Sequence, residues 1–314
     1  MRSSYRQALR SANVVIGIAL MALTANTFAQ PVDSFSDHLM NRLAYPSAAA
    51  YHQRTQRLLV GVDGEVRAMN ASGAARVLDD GRIRGSEQST ILRVRVDSAR
   101  ERLWILDLAG VHVFDLAAER RIASVKLPNW FYAGHGTSCL PDLQLDRTGA
   151  AFIADNAQPK LWRIDGGNFS VRERSVSLDS HRSLDVGFSA LAITEDGEMF
   201  AAMAAPGLLW RIDAASSRAT NVPLTAPIHG ACAIETLAPA RSRDFALFVL
   251  TAARESFNVR RISMVAAATA VVETMPIGTF PVPAAMLSWG GVLYLAEHKA
   301  VKGGWTLNAV HRLD

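Results

Sequence analysis

Residues 150–165 read AAFIADNAQPKLWRID and residues 198–213 read EMFAAMAAPGLLWRID, so that Leu161-Trp162-Arg163-Ile164-Asp165 returns unchanged as Leu209 to Asp213. In each copy two runs of alternating apolar residues are separated by a polar turn, which is the pattern of a strand pair. The pattern continues in both directions along the chain. It recurs as RLLVGVDGEVRAM from Arg57, RLWILDLAGVHVFD from Arg102, FALFVLTAARESFNVRRI from Phe245 and GVLYLAEHKAVKGGWTLNAVHRL from Gly291, giving six copies at near-regular intervals. A shorter apolar strand ending in a turn precedes each copy, as in LQLDRTG and LAITEDG, and another strand follows most of them, as in RSVSL and AVVETMPI.

Each unit is thus four short strands joined by turns such as Asp63-Gly64 and Asp196-Gly197. A small sheet of this kind has two faces to bury and cannot bury them alone. Packing the units radially around an axis buries both, so the expected fold is all-β, a six-bladed β-propeller of four-stranded antiparallel blades. On this reading Trp162 and Trp210 hold the same third-strand position in two blades and fill equivalent space between blades. The sixth copy runs out at Asp314 after its third strand, and residues 34–44, SFSDHLMNRLA, are the candidate for the missing outer strand.

The chain opens with Arg2, Arg6 and Arg10, an apolar run over residues 14–23, and Thr27-Phe28-Ala29 before Gln30. This is the layout of a cleavable signal peptide over 1–29, leaving 30–314 as the propeller. The run of about ten residues is half the roughly 20 that a membrane-spanning helix needs, so no stable membrane anchor is expected, and a secreted or periplasmic location follows. The formal charge of +4 falls to +1 without the three leader arginines, which removes the main support for nucleic-acid binding. Cys139 and Cys232 are able to pair in an oxidising compartment or to sit as two buried thiols, and their spacing leaves both open.

Blade three, CLPDLQLDRTGAAFIADNAQPKLWRID, and blade four, FSALAITEDGEMFAAMAAPGLLWRID, resemble the six-bladed propellers of the SMP-30/gluconolactonase family, with a fainter likeness to the royal jelly proteins. The resemblance implies enzymes that hydrolyse sugar lactones and related esters with one divalent cation in the channel, held by a Glu, an Asn and an Asp where inner strands begin. Here Ser47 stands at the position of the Glu and Ser189 at that of the Asn, while His229-Gly230 lies near the expected Asp-Gly. Two serines are poor replacements for the carboxylate charge that a hard cation such as calcium requires.

Loops that lead into inner strands, and those between second and third strands, share one end of a propeller. The first class offers Tyr45, His135, Asp142 and His229; the second offers Asp107, Asp155, Asn156, Glu297 and His298. His135 and Asp142 are the candidate catalytic pair, unless Asp142 serves as a partner for Arg93 of the neighbouring blade. Trp130, Phe131 and Tyr132, set beside two glycines in NWFYAGHGTSC, are candidate ligand-binding residues together with Asp155, Asn156, His229, Glu297 and His298. Ser138 lies close to His135 and Asp142, but the Gly-x-Ser-x-Gly elbow of a serine hydrolase is missing from the sequence. The expected function is binding of a small-molecule ligand or protein partner at the channel mouth; the alternative is a metal-dependent lactone or ester hydrolase with a rearranged site.

Overall fold

The structure is a computed structural model that describes residues 49–62, 65–69, 75–78, 91–128, 130, 139, 141–179, 186–237, 245–253, 256–264, 269–275, 285–289, 292–301 and 304–313. The leader at 1–29 and the stretch at 34–44 lie outside the described residues. Among those described, no helix is long and apolar enough to cross a membrane.

The alternating segments form strands, and nearly all of them pair antiparallel with the next in sequence. The first sheet holds β1 (Ala49–His52), β2 (Arg57–Val62), β3 (Glu65–Met69) and β4 (Ala75–Val77); the second holds β5 (Ile91–Asp97), β6 (Arg102–Asp107), β7 (Gly110–Asp115) and β8 (Arg120–Val125). The third is β9 (Leu143–Leu145), β10 (Ala151–Ala154), β11 (Lys160–Ile164) and β12 (Val171–Ser175). In the fourth, β14 (Ala190–Ile193), β15 (Met199–Met203), β16 (Leu208–Ile212) and β17 (Arg218–Val222) gain a fifth strand, β13 (Ser177–Leu178), which runs parallel to β17 on the outer edge. The RSVSL segment is therefore split: its first half ends blade three and its second half ties that blade to blade four. The fifth sheet is β18 (Ala231–Leu237), β19 (Phe245–Ala253), β20 (Ser256–Met264) and β21 (Val271–Thr274), and the last is β22 (Ala285–Trp289), β23 (Val292–Val301) and β24 (Gly304–Leu313).

Innermost strands β1, β5, β9, β14, β18 and β22 adjoin one another in that order, and β22 returns to β1. The architecture is an all-β propeller. Five sheets are complete blades, and the last has three strands among the described residues, which corrects the expectation of six four-stranded blades. The sixth copy supplies three strands, and the stretch proposed to lend a fourth is not among the described residues.

The repeated pentapeptide has a physical explanation. Trp162 lies opposite Ile153, and Trp210 lies opposite Ala201, in matching registers of the third strand. Both indoles are fully buried. Trp162 packs with Trp104, Val111 and Val113 of the preceding blade, and Trp210 packs with Phe152, Ala154 and Leu161 of its own preceding blade. The two tryptophans thus fill equivalent walls one blade apart. The closing aspartates repeat too: Asp165 Oδ1 accepts the Gly167 and Asn168 amides at 2.8 and 3.1 Å, and Asp213 Oδ1 accepts those of Ala215 and Ser216 at 2.8 and 3.1 Å. These bonds hold both carboxyls below their ordinary pKa, because each stabilises the ionised form. Asp115 builds the same turn in blade two, with Ala117 and Ala118 at 2.9 and 2.8 Å. All three turns end on a left-handed residue four positions later: Glu119, Phe169 and Ser217.

Candidate functional site

The inner strands carry polar residues on alternate positions, and these converge at the axis. Arg93 and Arg95 project from β5, Gln144 from β9, Glu235 from β18 and Ser288 from β22, with Asp142 just ahead of β9. Arg93 Nε donates to Asp142 Oδ1 at 3.1 Å, and its two terminal nitrogens donate to the carbonyls of Leu92 and Cys232 at 2.9 and 3.0 Å. Asp142 also accepts the Leu143 amide on Oδ1 at 2.9 Å and the Leu191 amide on Oδ2 at 3.0 Å. Deeper in the channel, Arg95 donates through Nε to Gln144 Oε1 at 3.2 Å and through a terminal nitrogen to Glu235 Oε1 at 3.1 Å. Gln144 passes its amide to the Leu191 carbonyl at 3.0 Å, and the Ser288 hydroxyl donates to Glu235 Oε2 at 3.3 Å.

Five of the six inner strands therefore share one charge network, with two guanidinium groups against two carboxylates. Burial raises the Glu235 pKa despite the opposing pull of Arg95, and burial lowers that of Arg93 against the pull of Asp142. Stripping either partner would strand an uncompensated charge away from water.

The network answers whether the channel could take the divalent cation that the sequence resemblance implies. Both oxygens of Asp142 already serve amide or guanidinium donors, and Glu235 is engaged by Arg95 and Ser288. Ser189 is buried, and its hydroxyl donates to the Ala231 carbonyl at 2.6 Å, with the Ala202 carbonyl 3.1 Å away. Among the described residues no three His, Cys, Asp or Glu side chains converge as a cation site. The donor set present does not fit such an ion; Ser47 lies outside the described residues.

The other candidates are distributed as follows. His135, Phe131, Tyr132, Tyr45 and Ser138 lie outside the described residues. Trp130 stands edge-on to Trp162, with ring centroids 6.4 Å apart, so it joins the wall between blades two and three. Asp155 Oδ1 accepts the Ala157 and Gln158 amides at 2.7 and 3.1 Å, closing its own turn, while Oδ2 lies 3.4 Å from the buried Lys160 ammonium. That ammonium sits over the Trp162 ring at 4.7 Å. Asn156 is buried, and its carbonyl accepts the Gly187 amide at 3.2 Å. A β-carbon on residue 187 would come within 2.0 Å of the Asp155 carbonyl oxygen, so only glycine lets the linker to blade four pass this close. His229 is exposed, with Nδ1 3.2 Å from the Ala205 carbonyl. Glu297 and His298 occupy β23 at an irregular register, and their side chains are outside the described set.

The two cysteines form a disulfide, with Cα atoms 4.7 Å apart. It joins the segment before β9 to β18, spanning blade four at the mouth of the channel. Sequence spacing alone could not have chosen this pairing over two free thiols. Arg95, Gln144, Glu235 and Ser288 were also missed. Their signal was present in LRVRVD, where arginines recur with period two inside an apolar strand, and in the 49-residue offset that separates Arg93 from Asp142 and Arg95 from Gln144.

With this geometry in place the chain can be set beside known proteins. No protein-family model matches the sequence, and no curated protein matches it as a relative. Among solved structures, a catalytically inactive variant of virginiamycin B lyase from Staphylococcus aureus, with quinupristin, is similar over 88% of this chain and 86% of that one, at 12% identity and a TM-score of 0.61. A gluconolactonase from Xanthomonas campestris is similar over 82% of this chain and 85% of that one, at 14% identity and a TM-score of 0.53. The fold is that of the gluconolactonase-like propellers. The major allergen of Malassezia sympodialis shares it at 15% identity and a TM-score of 0.55, over 80% of this chain and 86% of that one. One propeller scaffold thus carries chains of quite different description, and the residues at the axis must carry the functional argument.

Proposed function

We propose that the protein is an exported gluconolactonase-like propeller that binds a small molecule or a protein partner at its channel mouth and does so without a cation at the axis. The observation that carries this reading is the engagement of both axial carboxylates. Asp142 and Glu235 pair with Arg93 and Arg95 and hold three further donors, the Leu143 and Leu191 amides and the Ser288 hydroxyl. A cation would have to displace guanidinium groups that are themselves buried and bonded. Export rests on the leader pattern at 1–29, and the disulfide is in keeping with an oxidising compartment.

Elemental analysis of the purified chain, followed by a lactone screen with and without chelator, tests the proposal. No stoichiometric divalent metal and no chelator-sensitive lactone turnover are expected. Chelator-sensitive lactone hydrolysis that Asp142→Asn abolishes, in a variant that keeps its fold, would replace this reading with the metal-dependent hydrolase.

A further inference from the structure

Apart from the channel, blade two holds a hydroxyl, an imidazole and a carboxylate in line. His112 on β7 lies directly opposite Ser124 on β8, and its Nδ1 is 2.9 Å from Ser124 Oγ. On the other side of the ring, Nε2 is 3.0 Å from Asp107 Oδ2. Asp107 is almost wholly buried, and its Oδ1 accepts the Ala109 and Gly110 amides at 2.7 and 2.9 Å. Both carboxylate oxygens therefore act as acceptors, so Nε2 must carry a proton. The neutral ring then presents its lone pair at Nδ1, and the Ser124 hydroxyl donates to it. His112 is buried while Ser124 is exposed on the outermost strand, so the base is shielded and the hydroxyl is reachable.

We infer that Ser124 is a nucleophile, activated by His112 and taking acyl groups from small activated esters. This is the arrangement in which a hydroxyl, a base and an orienting acid act together. Ser124 Oγ bonds to the ester carbonyl carbon while its proton passes to His112 Nδ1. The carbon–oxygen bond to the alcohol then breaks, and the imidazolium returns that proton to the departing oxygen. Water, deprotonated by the same nitrogen, releases the acyl group as a carboxylic acid and restores the serine. Asp107 is a positioning residue that fixes the tautomer.

The chain contains its own reference. Thr55 Oγ1 lies 2.8 Å from His52 Nδ1, and His52 Nε2 lies 3.1 Å from Glu101 Oε2, at the opposite end of the propeller. There Glu101 Oε2 is shared with Arg54 Nε at 3.5 Å, whose positive charge offsets the carboxylate's pull on the ring. The hydroxyl is also a secondary one, more hindered toward a carbonyl carbon. Ser124 should therefore react where Thr55 does not.

The test is labelling of the full chain with p-nitrophenyl acetate and, separately, with an alkyl fluorophosphonate, in the presence of chelator, followed by peptide mass mapping. Label is expected on Ser124 ahead of Thr55 and ahead of the exposed Ser98 and Ser175. Ser124→Ala should remove it, and His112→Gln should slow it by roughly 100-fold or more, the usual scale of general-base assistance. Asp107→Asn should shift the pH profile of labelling, a readout that a purely structural role would leave in place. Because His112→Gln could unfold the blade, the wild-type chain gives a second measurement: its labelling rate should fall in acid, because a protonated ring has no lone pair to offer the Ser124 hydroxyl. Labelling of Ser124 no faster than of Ser98, or a rate independent of pH, overturns the inference.

Discussion

The walls between blades and the axis of the channel follow opposite rules. Along the wall, Leu-Trp-Arg-Ile-Asp is written twice, and the structure repeats with it: two buried indoles, two aspartate-closed turns and two left-handed residues in matching places. At the axis almost nothing repeats. Arg95, Gln144, Ala192 and Glu235 stand opposite Trp104, Phe152, Phe200 and Phe248 in matching registers of four inner strands and are four different residue types. Neighbouring blades need the same apolar complementarity at every wall, whereas only one copy of a charge network fits on one axis. Constancy therefore marks the scaffold, and divergence marks where chemistry can be placed.

The largest effect should come from breaking the axis on one side only. Arg93→Met or Asp142→Leu alone leaves a buried charge unpaired and should cost about 3–5 kcal/mol, while the double replacement recovers most of the loss. Urea denaturation of the three variants checks this, and equal loss in single and double variants would show that the pair is not the unit. At the walls, Trp162→Ala and Trp210→Ala should each cost about 3–5 kcal/mol, because each leaves a large cavity between blades. If the walls are equivalent, the two losses agree to within roughly 1 kcal/mol, and a wider gap would sharpen the comparison by showing that Lys160 and Trp130 add to one wall alone.

Replacing Cys139 and Cys232 with serine should cost about 2–4 kcal/mol, read as a lower melting temperature that reductant reproduces in the native chain. The bridge closes a separation of 93 residues between blades three and five, and it has no counterpart at any wall among the described residues. Smallest of all should be Asp165→Ala and Asp213→Ala. Their folded pKa values are depressed by backbone amides, so their contribution is present above the ordinary carboxylate pKa and is lost as pH falls through the folded value. Melting curves of variant and native chain should differ at pH 7 and draw together as pH falls below the ordinary carboxylate range. A difference that persists in acid would mean that alanine disturbs the turn itself.

Much of the fold was legible because strand alternation and the repeat are local and redundant. The strand pairs around Trp162 and Trp210 follow from the letters, as does the shared place of the two indoles. The tie from Ser177 and Leu178 to blade four was not legible, since a two-residue parallel strand carries no periodic signal. Of the site, the pairing of Asp142 with Arg93 was legible only as the alternative to a catalytic role beside His135, and the structure contains that pair. Asp155 and Asn156 read in the sequence as candidate ligand-binding residues, and in the structure they hold a turn and a linker, which the same letters also encode.

By itself the sequence determined that four-stranded units recur and that they must stack around an axis, because an amphipathic sheet with two faces to bury has few other solutions. It also determined that Trp162 and Trp210 fill equivalent places in two walls. Only the tertiary structure decided the number of strands in the last sheet, the pairing of Cys139 with Cys232, the meeting of Arg95 with Glu235, and the line from Asp107 through His112 to Ser124. The physical reason is range. Periodicity is set by neighbours along the chain, but a charge or a thiol finds its partner through space, across separations such as the 140 residues between Arg95 and Glu235, which closing the ring brings to hydrogen-bond distance.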